Sequence, residues 1–396
     1  MLACVIQEMP EEGIRVFGKR EPLITMVVPL RKLVTFSRAK IVAEILANEN
    51  PQYSLIVSQE IVEKWGLAEG DIVQLSGENA NSIVSVNGET EPIVSRLWPL
   101  ISGFKEKDDP RKLLHAMYPE RILPIDRFGD LTMKAFSLLA PIGLGQSLYL
   151  AAPGGAGKTT VLLSLWEALL RLTQNQSNLY PIVLHLGERS PDFTDFMEVW
   201  HEFPPILGET YSADRSRPLH IQVQLFDFVI KRARRLTQMG YDVVLIIDSV
   251  TRAVMAHSRS AEVGANGGMI AGGLHTTSIN YVSQMLGIAG DFGDRSLTIV
   301  SSVLAAAKGK TTSEAAFTDE TMDSSSTSTW VLGYYPMLPR PWIDVSASRT
   351  RRLERFTTLA HQELMQTTYQ EMWANGNNAL AAHEVLLQKA QAEISA

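Results

Sequence analysis

Residues Ala152 to Thr160 read APGGAGKTT, a glycine-rich turn closed by a lysine and two threonines. Gly154, Gly155 and Gly157 have no Cβ, so successive backbone N–H groups can converge on one set of oxygens. The residues before the turn, SLYLAA, read as a strand, and those after it, VLLSLWEALLRL, as a helix. Strand, loop and helix in that order are the setting of a P-loop. The helix N-terminus adds partial positive charge, Lys158 reaches the β- and γ-phosphates, and the Thr159 hydroxyl ligates magnesium. Pro153, Gly154, Gly155, Ala156, Gly157, Lys158, Thr159 and Thr160 are the expected binding residues, for ATP or GTP with Mg2+. Ala152 stands where the usual pattern has its first glycine. The competing reading is a glycine-rich turn before an ordinary helix.

Two more apolar runs end in acids. DVVLIID closes on Asp248, placed either to hold magnesium through water or to cap the helix that follows. PIVLHL leads into Gly187, Glu188 and Arg189. A carboxylate at this edge can polarise an attacking water, and the arginine beside it can read the state of the nucleotide.

The elements that must position these groups follow from the hydrophobic pattern. From about Tyr118 to Asp344, apolar runs such as SLYLAA, YPIVLHL, DVVLIID and SLTIVSSVL alternate with helical stretches. That alternation predicts an α/β fold with a mainly parallel sheet buried on both faces. Before it, TMVVPL, YSLIV, DIVQLSG and SIVSVNG are short β-rich segments split by Pro, Asn and Gly, and they predict a small β-barrel with one helix at Ser58 to Trp65. The charged stretch KEKDDPR, residues 105 to 111, reads as a linker. After Arg352 the chain reads as helical, with a break at Asn375 to Asn378. The expected organisation is a barrel over residues 1–104, a motor over 105–352 and a helical segment over 353–396. Gly264 to Gly273 and Ser324 to Thr329 are of low complexity and read as mobile loops.

The bulk properties fit such a chain. Of 396 residues, 45% are hydrophobic and 20% charged, enough for a sizeable core. The net charge of −7 gives no support for bulk nucleic-acid binding, though a local basic patch is compatible with it. A single cysteine, Cys4, excludes an intrachain disulfide and a cysteine-based zinc site. The N-terminal residues lack the apolar run of a signal peptide, and no stretch reaches the roughly 18 apolar residues of a membrane span. The expectation is a cytoplasmic protein without membrane insertion.

Taken in order, PIGLGQ (141–146), APGGAGKT, GERSPDFTDF, DVVLIIDSVTR, SLTIVSSVL and IDVSASRTR resemble the Rho transcription termination factors, a family of RecA-type hexameric helicases. YSLIVSQEIVEKWGLAEGDIVQLSG is similar to the end of that family's RNA-binding OB/cold-shock-like barrel, and DPRKLLHAMYP to the segment joining it to the motor. The resemblance implies a RecA-like P-loop motor that hydrolyses ATP with Mg2+ and assembles as a homo-oligomeric, hexameric ring. It implies that Lys158 and Thr159 bind nucleotide, that Glu188 activates water with Arg189 after it, and that Asp248 associates with magnesium. Arg252 matches a motor arginine, and Arg351 the arginine finger that acts on the neighbouring subunit's nucleotide. The related ATP synthase and secretion ATPases end this segment similarly and select the same residue. The alternative for Arg351 is a solvated member of the run Arg349, Arg351, Arg352 and Arg355. Trp342 lies near where the family places an aromatic beside adenine, at a shorter spacing, and either stacks on the base or fills the core.

The departures concern nucleic acid. SIVSVNG has no aromatic to stack on a base, which leaves Phe17 with Lys19 and Arg20 as the early candidates. The first pore-loop counterpart, LHTTSINYVSQML, has no Lys or Arg, and its Tyr281 either stacks on a base or fills a core. The second offers Lys308 or Lys310 beside Glu314, Asp319, Glu320 and Asp323, which repel phosphate. Single-stranded RNA is the expected cargo with weakened signals. A protein partner, as in an assembly or secretion motor, is the alternative, and a nucleotide-binding regulatory subunit the third reading.

Overall fold

The computed structural model describes residues 118–260, 274–305, 326–333, 341–374 and 379–395, and, between residues 2 and 86, seven strands with residues 64–65 and 70–71. The early strands are β1 (Leu2–Met9), β2 (Gly13–Phe17), β3 (Leu30–Leu33), β4 (Ile41–Ile45), β5 (Ser54–Ile56), β6 (Ile72–Leu75) and β7 (Ile83–Val86). Five of them form an antiparallel sheet in the order β5-β2-β1-β6-β7. YSLIV, DIVQLSG and SIVSVNG each contribute a strand to it. Closure into a barrel is not among the described pairings. The linker expected at 105–111 lies outside the described residues, as does the helix expected at Ser58 to Trp65 except for Lys64 and Trp65.

The motor follows as α1 (Leu131–Leu139), β8 (Ser147–Ala152), α2 (Lys158–Leu172), β9 (Leu179–Leu186), α3 (Ser190–Glu202), β10 (Glu209–Ala213), α4 (Leu219–Gln238) and β11 (Asp242–Asp248). After these come α5 (Val250–Arg259), α6 (Thr276–Leu286), β12 (Gly290–Asp291), β13 (Ser296–Leu304), β14 (Ser328–Gly333), β15 (Trp342–Ile343), β16 (Arg349–Thr350), α7 (Leu359–Ala374) and α8 (Ala379–Ser395). The main sheet runs β15-β14-β8-β13-β11-β9-β10-β4-β3, with every pair from β14 to β4 parallel. Among the described residues, no helix is long and apolar enough to cross a membrane.

The apolar strands are explained by two covered faces. Leu148 and Leu150 of β8 pack into one core with α1, α2, α3, α7 and α8, whereas Tyr149 faces a second core built on α4, α5 and α6. From β8 the chain crosses over β13 and β11 to reach β9, while β13 and β14 later flank β8 on either side. A crevice at the carboxyl ends of the strands, where the direction of winding changes, is where open α/β sheets bind ligands.

Two expectations are corrected in detail. Ser328 and Thr329, read as part of a mobile loop, begin β14 and are buried. Their hydroxyls find partners inside the fold, so polarity does not force them out: the Ser328 and Thr350 hydroxyls lie 2.8 Å apart. The early strands are also not confined to their own sheet, since β4 pairs with β10 at the edge of the main one.

A second tie between the early residues and the motor is polar and buried. Arg232 on α4 donates to Glu209 at 2.7 Å and to the Gly70 carbonyl at 3.2 Å, and both Tyr180 and Tyr211 donate to the same carboxylate. Arg235 pairs with the buried Asp71 at 2.9 Å. Burial and then the Glu209 charge push both phenols well above their ordinary pKa. Burial opposes the charge on Arg232, and Glu209 outweighs it. Removing the Glu209 charge takes the facing carboxylate from a buried guanidinium, so Glu209→Gln is expected to lower unfolding stability by about 3–5 kcal/mol in urea titration.

Candidate active site

The glycine-rich turn sits between a fully buried strand and a helix, as its composition requires. Gly155 and Gly157 adopt φ of 79° and 95°, the left-handed region that glycine enters without a steric penalty. A Cβ built on Gly154 would meet nothing within 4 Å, so the cradle is open at that point. Gly157 is also the N-cap of α2, and no side chain caps the first-turn N–H groups. Those donors, with the positive end of the helix dipole, are the means by which a helix N-terminus holds an anion. Lys158 opens the helix, with Thr159 and Thr160 next to it.

Strand register brings Asp248 to the same place. It is 2% exposed at the end of β11, and its Oδ1 accepts a hydrogen bond from Ser302 on β13 at 2.6 Å. Lys158 Nζ lies 3.9 Å from the same oxygen. The helix-capping alternative for Asp248 falls to its neighbour: Ser249 is the N-cap of α5 and accepts from the Arg252 N–H.

Glu188 is held just beyond β9. Gly187 takes φ of 64°, and a Cβ there would stand 2.9 Å from both Arg252 Cβ and Gln222 Oε1. A larger residue cannot make this turn without displacing them. The Glu188 Oε1 then accepts from the Ser249 hydroxyl at 3.0 Å and from Arg252 Nε at 3.1 Å, and Oε2 lies 3.7 Å from Arg215. Lys158 with Asp248, and Glu188 with Ser249 and Arg252, thus form two polar groups at the carboxyl ends of β9 and β11, adjacent through Asp248 and Ser249 and beside the phosphate cradle.

The other expected residues stand apart from these groups. Arg189 turns outward and pairs with Asp192 at 3.2 Å. Arg351 follows β16 and is exposed; its N–H donates to Thr327, its carbonyl accepts from Gln146, and its side chain has no partner among the described residues. Trp342 is 3% exposed on β15, its ring 5.2 Å from that of His383, so neither face is open to a base. That is the core placement of the two alternatives. Tyr281 likewise packs inward, stacked on His257 at 4.2 Å. Phe17 lies on β2, whereas Lys19, Arg20, Lys308, Lys310 and the acidic residues of the second pore segment lie outside the described residues.

Ser249, Ser302 and Arg215 join the site beyond the residues expected from the motifs. Ser249 carries a legible signal, a serine between a strand-end acid and a helix. Ser302 and Arg215 carry none, because only strand register and a loop return bring them in. His185 also lies here; burial holds its imidazole below the ordinary range against the pull of Asp248 and Glu188.

The donors fit a hard divalent cation. Carboxylate and hydroxyl oxygens suit Mg2+, which is bound through one or two protein oxygens together with substrate phosphates rather than by a full protein cage. No group of three or more potential metal-ligating His, Cys, Asp or Glu residues occurs among the described residues.

The chain is 29% identical over 263 residues to transcription termination factor Rho of Mycobacterium leprae (strain TN), covering 64% of this chain and 40% of that protein. It is 30% identical over 248 residues to Rho of Streptosporangium roseum, covering 61% and 58%. The Rho resemblance read from the motifs is therefore shown, while the chain spans well under two thirds of the length of these relatives. Among solved structures it superimposes on a prototypical ATPase of the type III secretion system of pathogenic bacteria, with a TM-score of 0.53, 19% identity and 68% and 72% coverage. It also superimposes on the ATP synthase subunit NeqB of Nanoarcheaum equitans, with a TM-score of 0.55, 13% identity and 65% and 62% coverage. These two likenesses show a common P-loop ATPase fold. The model of the ATP synthase alpha/beta family, nucleotide-binding domain, matches residues 132–332, just over half of the chain. The chain belongs to the ATP synthase alpha/beta family, and residues 132–332 are its nucleotide-binding domain.

Proposed function

We propose that this protein is a Rho-like ring ATPase that couples ATP hydrolysis to movement on single-stranded RNA. The observation that carries the hydrolytic part is the pair of polar groups, with Lys158 3.9 Å from Asp248 and the Glu188 carboxylate fixed by Ser249 and Arg252. The N–H groups of residues 154–160 and the Lys158 ammonium receive the phosphates and spread their charge. Thr159 and Asp248 would hold Mg2+, which when bound neutralises phosphate charge. Glu188 accepts the proton of a water whose oxygen attacks the γ-phosphorus; the bond to the bridging oxygen breaks, and ADP and phosphate leave. Arg252 keeps Glu188 aimed. Arg351, exposed and with no side-chain partner among the described residues, acts on the nucleotide of the neighbouring subunit of a hexameric ring. Arg189, exposed next to Glu188, reads the state of the nucleotide. The early sheet β5-β2-β1-β6-β7 belongs to an OB-like barrel, 105–352 act as the motor and 353–396 as a helical segment.

The Rho relatives support RNA as the cargo. The second reading, a motor acting on a protein partner, is favoured by the lack of Lys or Arg in residues 274–286 and by the secretion ATPase among the fold neighbours. Hydrolysis measured with and without poly-pyrimidine RNA, beside a Lys158→Ala control, separates the two. RNA stimulation that falls steeply with salt is expected, because phosphate contacts release counterions. Hydrolysis indifferent to RNA contradicts the RNA reading and favours the protein partner.

A further inference from the structure

His185 is a buried polar group left without a hydrogen-bond partner, among the described residues, inside the candidate site. It lies on β9 three residues before Glu188 and pairs in register with Asp248 on β11. Alternation along both strands turns the two side chains to the face covered by α2 and α3: Val183 and Ile246, two residues earlier, belong to that core, and the His185 ring stands 5.7 Å from Phe193 of α3. The residue is fully buried, and neither ring nitrogen has a hydrogen-bond partner among the described residues. An imidazole with a donor and an acceptor both unmet is costly in a protein interior, where a leucine fills similar space without that cost. Beside it, the contacts of Asp248 with Ser302 and Lys158 both use Oδ1, so Oδ2 remains for water.

We propose that His185 is a positioning residue of the phosphate site, whose ring nitrogens hydrogen-bond to the ordered water around a bound Mg2+–nucleotide beside Asp248. The inference rests on the reading of Asp248 as the magnesium-side carboxylate. His185 then favours the metal-loaded nucleotide specifically. Phosphate oxygens bound by the glycine-rich turn alone do not use it.

The test is ATP affinity of the full chain by calorimetry, with excess MgCl2 and with EDTA. His185→Leu is expected to bind metal-free ATP as the wild type does and Mg–ATP roughly three- to tenfold more weakly, the worth of an ordinary hydrogen bond. His185→Asn, which keeps a donor and an acceptor, is expected to recover most of the loss. The Tm of ligand-free His185→Leu should equal or exceed that of the wild type, because the unmet polar group is gone. Equal Mg–ATP affinity in His185→Leu and wild type overturns the proposal, as does an equal loss with and without metal, the mark of a packing role. If His185→Leu fails to fold, His185→Met, also without a donor, carries the same comparison. A wild type whose ATP affinity ignores Mg2+ overturns the metal assignment of Asp248 and this inference with it. In a wild type that gains affinity from Mg2+, that assignment stands, and the variants then test His185 alone.

Discussion

Arg351→Ala is expected to hydrolyse ATP about 10³- to 10⁵-fold more slowly than the wild type, with an unchanged unfolding midpoint. The size follows from the role. A guanidinium set against the transferring phosphoryl group neutralises charge that appears only in the transition state, where the water-poor site makes such charge unfavourable. The unchanged stability follows from the structure. The Arg351 backbone is fixed by Thr327 and Gln146, while its side chain is exposed and bonds to nothing among the described residues. Truncating it therefore removes no hydrogen bond or ion pair among them. Because the proposed action is on a neighbour, mixing supplies a further check. A ring built from Arg351→Ala and Lys158→Ala subunits contains interfaces where an intact phosphate site faces an intact arginine, so the mixture should regain activity that neither parent has. Normal hydrolysis by Arg351→Ala, or no recovery on mixing, returns this residue to a solvated arginine run.

Glu188→Gln is expected to lose about 10²- to 10⁴-fold in kcat with little change in ATP affinity. Glutamine still offers an oxygen to Ser249 and to Arg252, so the local geometry survives. What it lacks is the basicity to take a proton from water. Loss confined to kcat therefore separates a general base from an anchor of the Arg252 side chain. A variant that turns over at the wild-type rate shows that Glu188 is only the anchor, and one that loses ATP affinity shows that the turn at Gly187 has moved.

Much of this site can be read without coordinates, for a definite reason. The parallel sheet is buried on both faces, so its strands are unbroken apolar runs, and residues that act at the carboxyl ends of such strands fall directly after those runs. Glu188 and Asp248 are legible in that way, and the cradle is legible because strand, glycine turn and helix are contiguous. The partners that hold these groups are a different matter. Ser302 reaches Asp248 across 54 residues and Ser249 reaches Glu188 across 61, distances bridged by register alone. Composition misleads at Ser328 and Thr329, where hydroxyls that bond within the fold make a buried strand start look like a loop. Trp342 is ambiguous in sequence because its burial depends on α8, about 40 residues further on, which supplies His383. The pairing of β4 with β10 has no local signal either, since an edge accepts any strand of suitable length.

That residues 152–160 cradle the phosphates of a hydrolysed nucleotide is tested most directly by ATP binding and turnover of the wild type and of Lys158→Ala in the same buffer with Mg2+. The wild type is expected to bind and hydrolyse ATP, and Lys158→Ala to lose at least about 10²-fold in turnover. A wild type that neither binds nor hydrolyses nucleotide, with or without RNA, or a Lys158→Ala variant that matches it, contradicts that claim.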